Sequence, residues 1–405
     1  MRLYNSRTRA VEPFQPIGEV VTLYVCGITP YDTTHLGHAF TYVTFDTLVR
    51  FLEASGQPVK YVQNVTDIDD DILRKSKELG IDWRELGERE TAAFLRDMRA
   101  LNVRMPDHYV YATEEIPMML AMTEGILAKQ RAYERNGSVY YDVSSDPDFG
   151  KLSRLDRDEM LVTANERGND PNDPNKSDPL DFVLWQAARP GEPTWESPWG
   201  AGRPGWHIEC SAMSVKYLGP QLDIHGGGAD LLFPHHEAEI AQSETYTGRE
   251  PFVNVWMHTA MVRMDGEKMS KSLGNMVFIK DLLKTYTPDA IRLYLLNHHY
   301  RQPWEWDRAE MDTAQETADR LTEASQIGNP HAGAVVAYMG DEEERHFYTA
   351  MENDLDTPRA IAALAALAAK IMAARAEGQD VAPAQQRLGR MGRILGLTFE
   401  PRART

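Results

Sequence analysis

The sequence predicts an α/β protein built on a parallel sheet and followed by a mostly helical C-terminal part. Three observations predict it. Val20-Val21-Thr22-Leu23-Tyr24-Val25 is a mainly apolar run of strand length, the kind buried on both faces of a parallel sheet. A stripe with helical spacing follows through Phe40, Val43, Leu48, Phe51 and Leu52, and it closes before Gly56. Pro58 to Val62 then reads as a second strand, and strand, helix and strand in so short a span make a βαβ unit.

The later elements follow in order. Ile116 to Tyr133 reads as a helix, with small hydrophobic positions at helical spacing. Glu166 to Lys176 is polar and rich in turn residues, so it is expected as a surface loop or insertion. Strands resume at Leu222-Asp223-Ile224-His225, ahead of three glycines, and at Val253 to Met257, which leads toward Asp265-Gly266. From Asp289 the pattern is mostly helical, and the alanine-rich stretch Ala360 to Ala374 predicts a helix. Gly328 to Gly333 reads as a linker ahead of the last helical part.

Composition bounds the function. A chain of 405 residues, 42% hydrophobic and 26% charged, is that of an ordinary globular protein with a sizeable core. No uninterrupted apolar stretch has membrane-spanning length, and Met1 to Ser6 does not read as a signal peptide, so no membrane partner is expected. Two cysteines in such a chain are expected as free thiols in a reducing cytoplasm rather than as a disulfide framework. The net charge of -18 argues against broad nonspecific nucleic-acid binding, while leaving room for a local basic groove.

Both cysteines sit in dense motifs. Cys26 ends the first apolar run, and Cys210 closes Gly205-Trp206-His207-Ile208-Glu209-Cys210. Downstream, His235 and Glu239 have the i, i+4 spacing of one helical face, whereas the neighbouring His236 points off that face if the segment is helical. Two thiolates, one imidazole and one carboxylate form a zinc shell, one ion per chain. Such an ion either clips the fold or holds a substrate.

Two further motifs suit a polyphosphate. His35-Leu36-Gly37-His38 stands where the first strand hands over to a helix, and a helix start favours an anion. Gly37 lets a flat ring or sugar approach the backbone. Lys268-Met269-Ser270-Lys271-Ser272 follows an Asp-Gly turn and offers two ammonium groups and two hydroxyls to a shifting negative charge.

Taken together, the His-x-Gly-His and Lys-Met-Ser-Lys-Ser motifs resemble the class I aminoacyl-tRNA synthetases. Within that class, Tyr24-Val25-Cys26-Gly27, the run Asn64 to Asp70, the run Gly205 to Met213, Asp223 to Gly228 and Phe233 to Glu237 resemble cysteinyl-tRNA synthetase. The resemblance implies a Rossmann-like catalytic domain with a connective insertion, then a C-terminal α-helical bundle opened by Glu352 to Pro358. It divides the chain into a first catalytic half (1–115), the insertion (116–200), a second catalytic half (201–265), the Lys-Met-Ser-Lys-Ser loop and linking region (266–327) and the bundle (334–400).

The resemblance also implies activation of L-cysteine by ATP to cysteinyl-adenylate, with Mg²⁺ accompanying the nucleotide. His35, His38, Lys268 and Lys271 become the catalytic residues, and these with Gly37 and Ser270 bind ATP. Gly27, Thr66, Trp206, His225 and Asp230 contact cysteine or adenosine, and the zinc ligands fall on Cys26, Cys210, His235 and Glu239. The carboxylates Asp67, Asp69, Asp70 and Asp71 are expected to form a capping or solvated turn rather than a metal site. A monomer is expected.

The acceptor divides the family. Glu209 to Met213, Asp223 to His225 and Lys271 to Asn275 resemble the enzymes that charge tRNA(Cys), and this reading stands first. Cys26 to Asp32, Thr34 to Ala39, Gly80 to Arg84 and Ala187 to Pro193 resemble the related cysteine ligase of mycothiol biosynthesis, which joins cysteine to the amine of glucosaminyl-inositol. Phe40 stands where the tRNA enzymes commonly carry arginine, and no anticodon-binding domain is evident after the bundle. A non-catalytic paralogue that binds cysteine or a nucleotide is the third reading.

Overall fold

In the computed structural model the described residues are 1–31, 34–264, 266–269, 276–330, 332–333 and 336–401. Strand β1 (Val21–Ile28) buries Val21, Leu23, Tyr24 and Val25 completely, as a strand covered on both faces must. Helix α1 (Leu36–Ala54) starts at His35, whose ring accepts from the His38 N–H, and ends where Gly56 takes a φ of 83°. Strand β2 (Val59–Val65) returns beside β1 in parallel, completing the βαβ unit that the apolar patterning predicts.

Helix α2 (Asp70–Leu79) and strand β3 (His108–Tyr111) follow. Helix α3 (Ile116–Ala128) leads into an antiparallel sheet of β4 (Ala132–Arg135), β5 (Ser138–Tyr141), β6 (Phe182–Ala187) and β7 (Gly202–Pro204). Ala132 and Tyr133 therefore belong to a strand and not to the helix expected there. The helix stops because Gln130 takes a left-handed φ of 59°, and Tyr133 then stacks on Tyr140 across the hairpin.

Helix α4 (Trp206–Leu218), strand β8 (Leu222–Gly228), helix α5 (Glu237–Thr247) and strand β9 (Val253–Thr259) complete the larger sheet, which is parallel throughout in the order β9-β8-β1-β2-β3.

Helices α6 (Pro288–Leu296), α7 (Arg308–Gln326), α8 (Asp341–Glu352), α9 (Thr357–Ala376) and α10 (Ala382–Ile394) form the C-terminal part. By length and composition α9 is apolar enough to cross a membrane, yet it packs Ile361, Leu364, Leu367 and Ile371 into the bundle core. One buried ion pair ties the bundle to the sheet domain. Arg292 on α6 meets Asp46 on α1 at 2.5 Å with both side chains fully enclosed, and its guanidinium also donates to the carbonyls of Leu101 and Leu395.

Candidate active site

The strand order makes β1 a switch point: the chain runs outward from it to β2 and β3, then returns on its other side through β8 and β9. Ligands in open α/β sheets sit beyond the carboxyl ends of the strands at such a point. A cavity of about 1430 Å³ opens there, floored by the ends of β1, β2, β8 and β9 and walled by the antiparallel sheet.

Four side chains converge at its base. Cys26 comes from β1, Cys210 from the second turn of α4, His235 from the segment after β8 and Glu239 from α5, and all four are buried. The Cys26 and Cys210 sulfurs are 3.8 Å apart, Cys26 Sγ lies 3.7 Å from Glu239 Oε1, and His235 Nε2 lies 3.2 Å from the same oxygen. Tetrahedral zinc with bonds of about 2.0–2.3 Å separates S–S, S–O and N–O ligand pairs by about 3.8, 3.6 and 3.4 Å respectively. The donor set and its spacing fit such an ion.

The imidazole is pre-oriented. His207 Nδ1 meets His235 Nδ1 at 3.0 Å, which leaves Nε2 for a metal, and Trp206 stacks on the His235 ring at 4.3 Å. His236 departs from expectation, for it points at the cluster and not away from it. Phe233 adopts an extended backbone (φ -142°, ψ 137°), so the segment is no regular helix and both histidines can face inward. His236 Nε2 lies 3.3 Å from Cys26 Sγ, while its Nδ1 meets His258 Nε2 at 2.8 Å, and His258 Nδ1 meets Ser6 Oγ at 2.7 Å. His225, on β8, lies 3.6 Å from Cys26 Sγ and 3.5 Å from Glu239, so Cys26, His225, His236 and Glu239 make a second possible ligand group.

Burial sets the protonation of these groups. It pushes the Cys26 thiol up, with Cys210 adding to the effect, and it pushes Glu239 up, again with Cys210 beside it. It holds His225, His235 and His236 well below the ordinary imidazole value. A divalent cation reverses the first pair of effects and needs the third, because it favours thiolate, carboxylate and neutral imidazole together. An orphaned atom agrees: Glu239 Oε2 is buried without a hydrogen-bond partner.

The other end of the cavity carries the helix start. His35 caps α1, its ring stacks on His38 at 3.7 Å, and Gly37 lines the cavity between them. Burial lowers His38 to about 4, so it is a neutral hydrogen-bonding group at neutral pH. Lys268 pairs through its backbone with Arg263, and Ser270 and Lys271 lie outside the described residues. Asp230 lines the cavity just after β8.

Between the two ends, the Gly27 N–H donates to Asn64 Oδ1 at 2.7 Å and Asn64 Nδ2 donates to Thr66 Oγ1 at 3.2 Å. A Cβ on residue 27 would fall 1.5 Å from the Asn64 carbonyl oxygen, which is why a glycine stands there. Glu209 is 1% exposed beside this chain; burial first, then Cys210, Asp69 and Asp67, push its carboxyl up, and a hydrogen bond from Thr66 opposes them. Asp69 caps α2 and burial raises it to about 6, while Asp67 accepts from the Thr113 amide and hydroxyl. The acidic turn thus caps and braces, as its sequence suggests. His207, His258, Asn64 and Glu209 were not singled out by sequence; only the dense Gly-Trp-His-Ile-Glu-Cys motif hinted at two of them.

Comparison with known proteins places this geometry. Residues 13–316 match the tRNA synthetases class I (C) catalytic domain, and residues 346–400 match the DALR domain. The chain is 47% identical over 389 residues to an L-cysteine:1D-myo-inositol 2-amino-2-deoxy-alpha-D-glucopyranoside ligase of Thermomonospora curvata, covering 96% of this chain and 92% of the relative. It is 44% identical over 402 residues to a cysteine--tRNA ligase of Dehalococcoides mccartyi, covering 98% and 86%. Among solved structures, a Mycobacterium tuberculosis methionyl-tRNA synthetase in complex with methionyl-adenylate aligns with a TM-score of 0.66 at 15% identity over 92% of this chain and 88% of that one, a likeness of fold. The chain is therefore a ligase and belongs to the class I tRNA synthetase (C) family, among the cysteine ligases.

Proposed function

We propose that the protein activates L-cysteine with ATP and then transfers the cysteinyl group to an acceptor. One observation carries the reading: the Cys26, Cys210, His235 and Glu239 cluster and the His35–His38 helix start share one cavity. A cysteine carboxylate oxygen bonds to the α-phosphorus, the bond to the β-phosphate oxygen breaks, and pyrophosphate leaves. Zinc held by the four ligands would bind the substrate thiolate and so reject serine, alanine and valine. Mg²⁺ would accompany ATP.

The chain's own residues orient the reactants. Gly37 admits the nucleotide to the helix start, and neutral His38 offers it a hydrogen bond. Gly27, Thr66, Trp206 and Asp230 line the cavity that holds the cluster, and Lys268, Ser270 and Lys271 are assigned to the departing pyrophosphate from the sequence motif. Cysteine-dependent exchange of pyrophosphate into ATP tests this step. No exchange in a zinc-replete sample would reduce the protein to a binding paralogue.

For the acceptor, tRNA(Cys) is the first reading, on the residues Glu209 to Met213 and Lys271 to Asn275. A specific observation favours the second, the amine of glucosaminyl-inositol. The cavity wall toward the insertion carries Asp69, Asp70, Asp71, Asp170 and Asp173 against five cations, of which Arg74 pairs with Asp71 and Arg203 with Asp70 and Glu192, while Lys176 and Arg167 donate to the neutral oxygens of Asn169 and Phe233 and Arg189 lies beside the Gln186 amide. Such a wall suits a small cationic amine better than a polyanion. Offering tRNA and glucosaminyl-inositol separately, with cysteine and ATP, decides between them.

A further inference from the structure

We infer that Glu209 receives the α-ammonium of the substrate cysteine and so makes the site selective for an amino thiol rather than for any thiol. The inference rests on the cysteine-activation reading. Cysteine has three polar handles. The cluster at the base of the cavity takes the thiol, and the carboxylate must face the nucleotide at the helix start. The ammonium remains, only two carbons from the sulfur, and it needs an anion close to the thiol cluster.

Glu209 supplies one. It precedes Cys210 in the first turn of α4, so its side chain starts next to a thiol ligand and lines the same cavity. It is 1% exposed, and its Oε2 is buried with no hydrogen-bond partner. A buried carboxylate oxygen without a donor is unfavourable unless a ligand completes it. Among the described residues no lysine or arginine pairs with it, and the charged groups around it, Asp67 and Asp69, are acidic.

The rest of the bracket is fixed. The Gly27 amide holds Asn64, the Asn64 side-chain amide donates to the Thr66 hydroxyl, and Thr66 in turn bonds Glu209. Thr66 is thereby committed on both sides, and the unpaired oxygen of Glu209 is what is left to meet a cation. Gly27 and Trp206, which line the same cavity, bring no competing charge to that contact.

The test is calorimetric binding to the zinc-loaded full chain, with cysteine, cysteamine (thiol and ammonium) and 3-mercaptopropionate (thiol and carboxylate). Wild type should bind cysteamine more tightly than 3-mercaptopropionate. Glu209→Gln should weaken cysteine and cysteamine by about tenfold or more, the worth of a charge-assisted hydrogen bond, while 3-mercaptopropionate changes little. Glu209→Asp, which keeps the charge, should retain part of the preference.

If Glu209 merely props Thr66, all three thiols weaken alike in Glu209→Gln, and the inference falls. It falls equally if only transfer to the acceptor suffers, or if wild type binds 3-mercaptopropionate as tightly as cysteamine; that last result needs no folded variant. Pyrophosphate exchange by the wild type separates the two levels. Without cysteine-dependent exchange the activation reading fails, whereas exchange with an unaltered thiol preference in Glu209→Gln sinks the ammonium assignment alone.

Discussion

The two overlapping ligand groups make an asymmetric prediction for the two cysteines. Cys26 and Glu239 belong to both groups, Cys210 and His235 only to the one facing the cavity, and His225 and His236 only to the other. Cys26→Ser removes a thiolate from every four-residue arrangement the site offers. Cys210→Ser leaves Cys26, His225, His236 and Glu239 in place, with His236 Nε2 3.3 Å and His225 Nε2 3.6 Å from the remaining sulfur.

Structural zinc binds four-ligand peptide sites with about 10–16 kcal/mol, so one thiolate is worth about 3–4 kcal/mol, or about 100- to 1000-fold in affinity. That full loss is expected for Cys26→Ser. Cys210→Ser should lose less, about 10- to 100-fold, because the metal can settle on the second group, and it should lose cysteine selectivity at the same time. Competition with a chromophoric zinc chelator gives both dissociation constants, and metal content after dialysis checks them. If Cys210→Ser binds zinc more weakly than Cys26→Ser, the second group has no standing. If either variant keeps wild-type affinity, the shell itself is wrong.

Three further outcomes follow from single contacts. Gly27→Ala places a Cβ 1.5 Å from a strand carbonyl that cannot swing aside, so stability should fall by about 2–4 kcal/mol and the KM for cysteine should rise; an unchanged Tm by calorimetry would contradict the close approach. Arg292→Met takes one of two guanidinium partners from the buried Asp46, which keeps Arg50 and the Arg104 amide, and leaves the Leu101 and Leu395 carbonyls without their donor, so it should cost about 2–4 kcal/mol in urea unfolding; a variant within about 1 kcal/mol of wild type would show the pair to be idle. His38 titrates at about 4 in the fold against 6.5 when free, so the unfolded chain protonates first, and stability present above 6.5 is lost as pH falls toward 4. Between pH 7 and 5 wild type should therefore lose about 1–2 kcal/mol relative to His38→Asn, a discounted figure because the ring is partly exposed; a pH-independent difference would show that burial does not hold the ring neutral.

The sequence made the parallel sheet legible because strands buried on both faces are mainly apolar along their length, as Val21, Leu23, Tyr24 and Val25 show. Cys26, Cys210, His235 and Glu239 were legible for a different reason: thiolates, imidazole and carboxylate in motif clusters have few other uses. His236 was not legible, since its direction depends on one extended residue, Phe233, inside what reads as a helix. The Tyr133 strand was missed because the chain turns at a residue, Gln130, that carries no turn signature. His258 and Asn64 act through partners distant in the chain, Ser6 and Gly27 among them, and no spacing rule reports such meetings.

What remains is how one cavity makes two choices. The groups assigned to the amino acid come from β1, the residue after β2, α4 and α5, and they are braced from beneath by His207, His258 and Asn64, so a change there disturbs thiol and metal together. The groups assigned to the acceptor come from the start of α2, from β7 and from the insertion, and ion pairs hold several of them at the cavity wall. The two sets meet at Asp69, which lies on the wall and acts on Glu209, while the ion pairs of Arg74 and Arg203 involve none of the four cluster residues. Exchanging the wall's paired cations and carboxylates should therefore redirect the acceptor while cysteine-dependent pyrophosphate exchange stays near its wild-type rate. Loss of that exchange in a wall variant such as Arg203→Gln would mean that the acceptor wall and the cysteine site form one coupled unit.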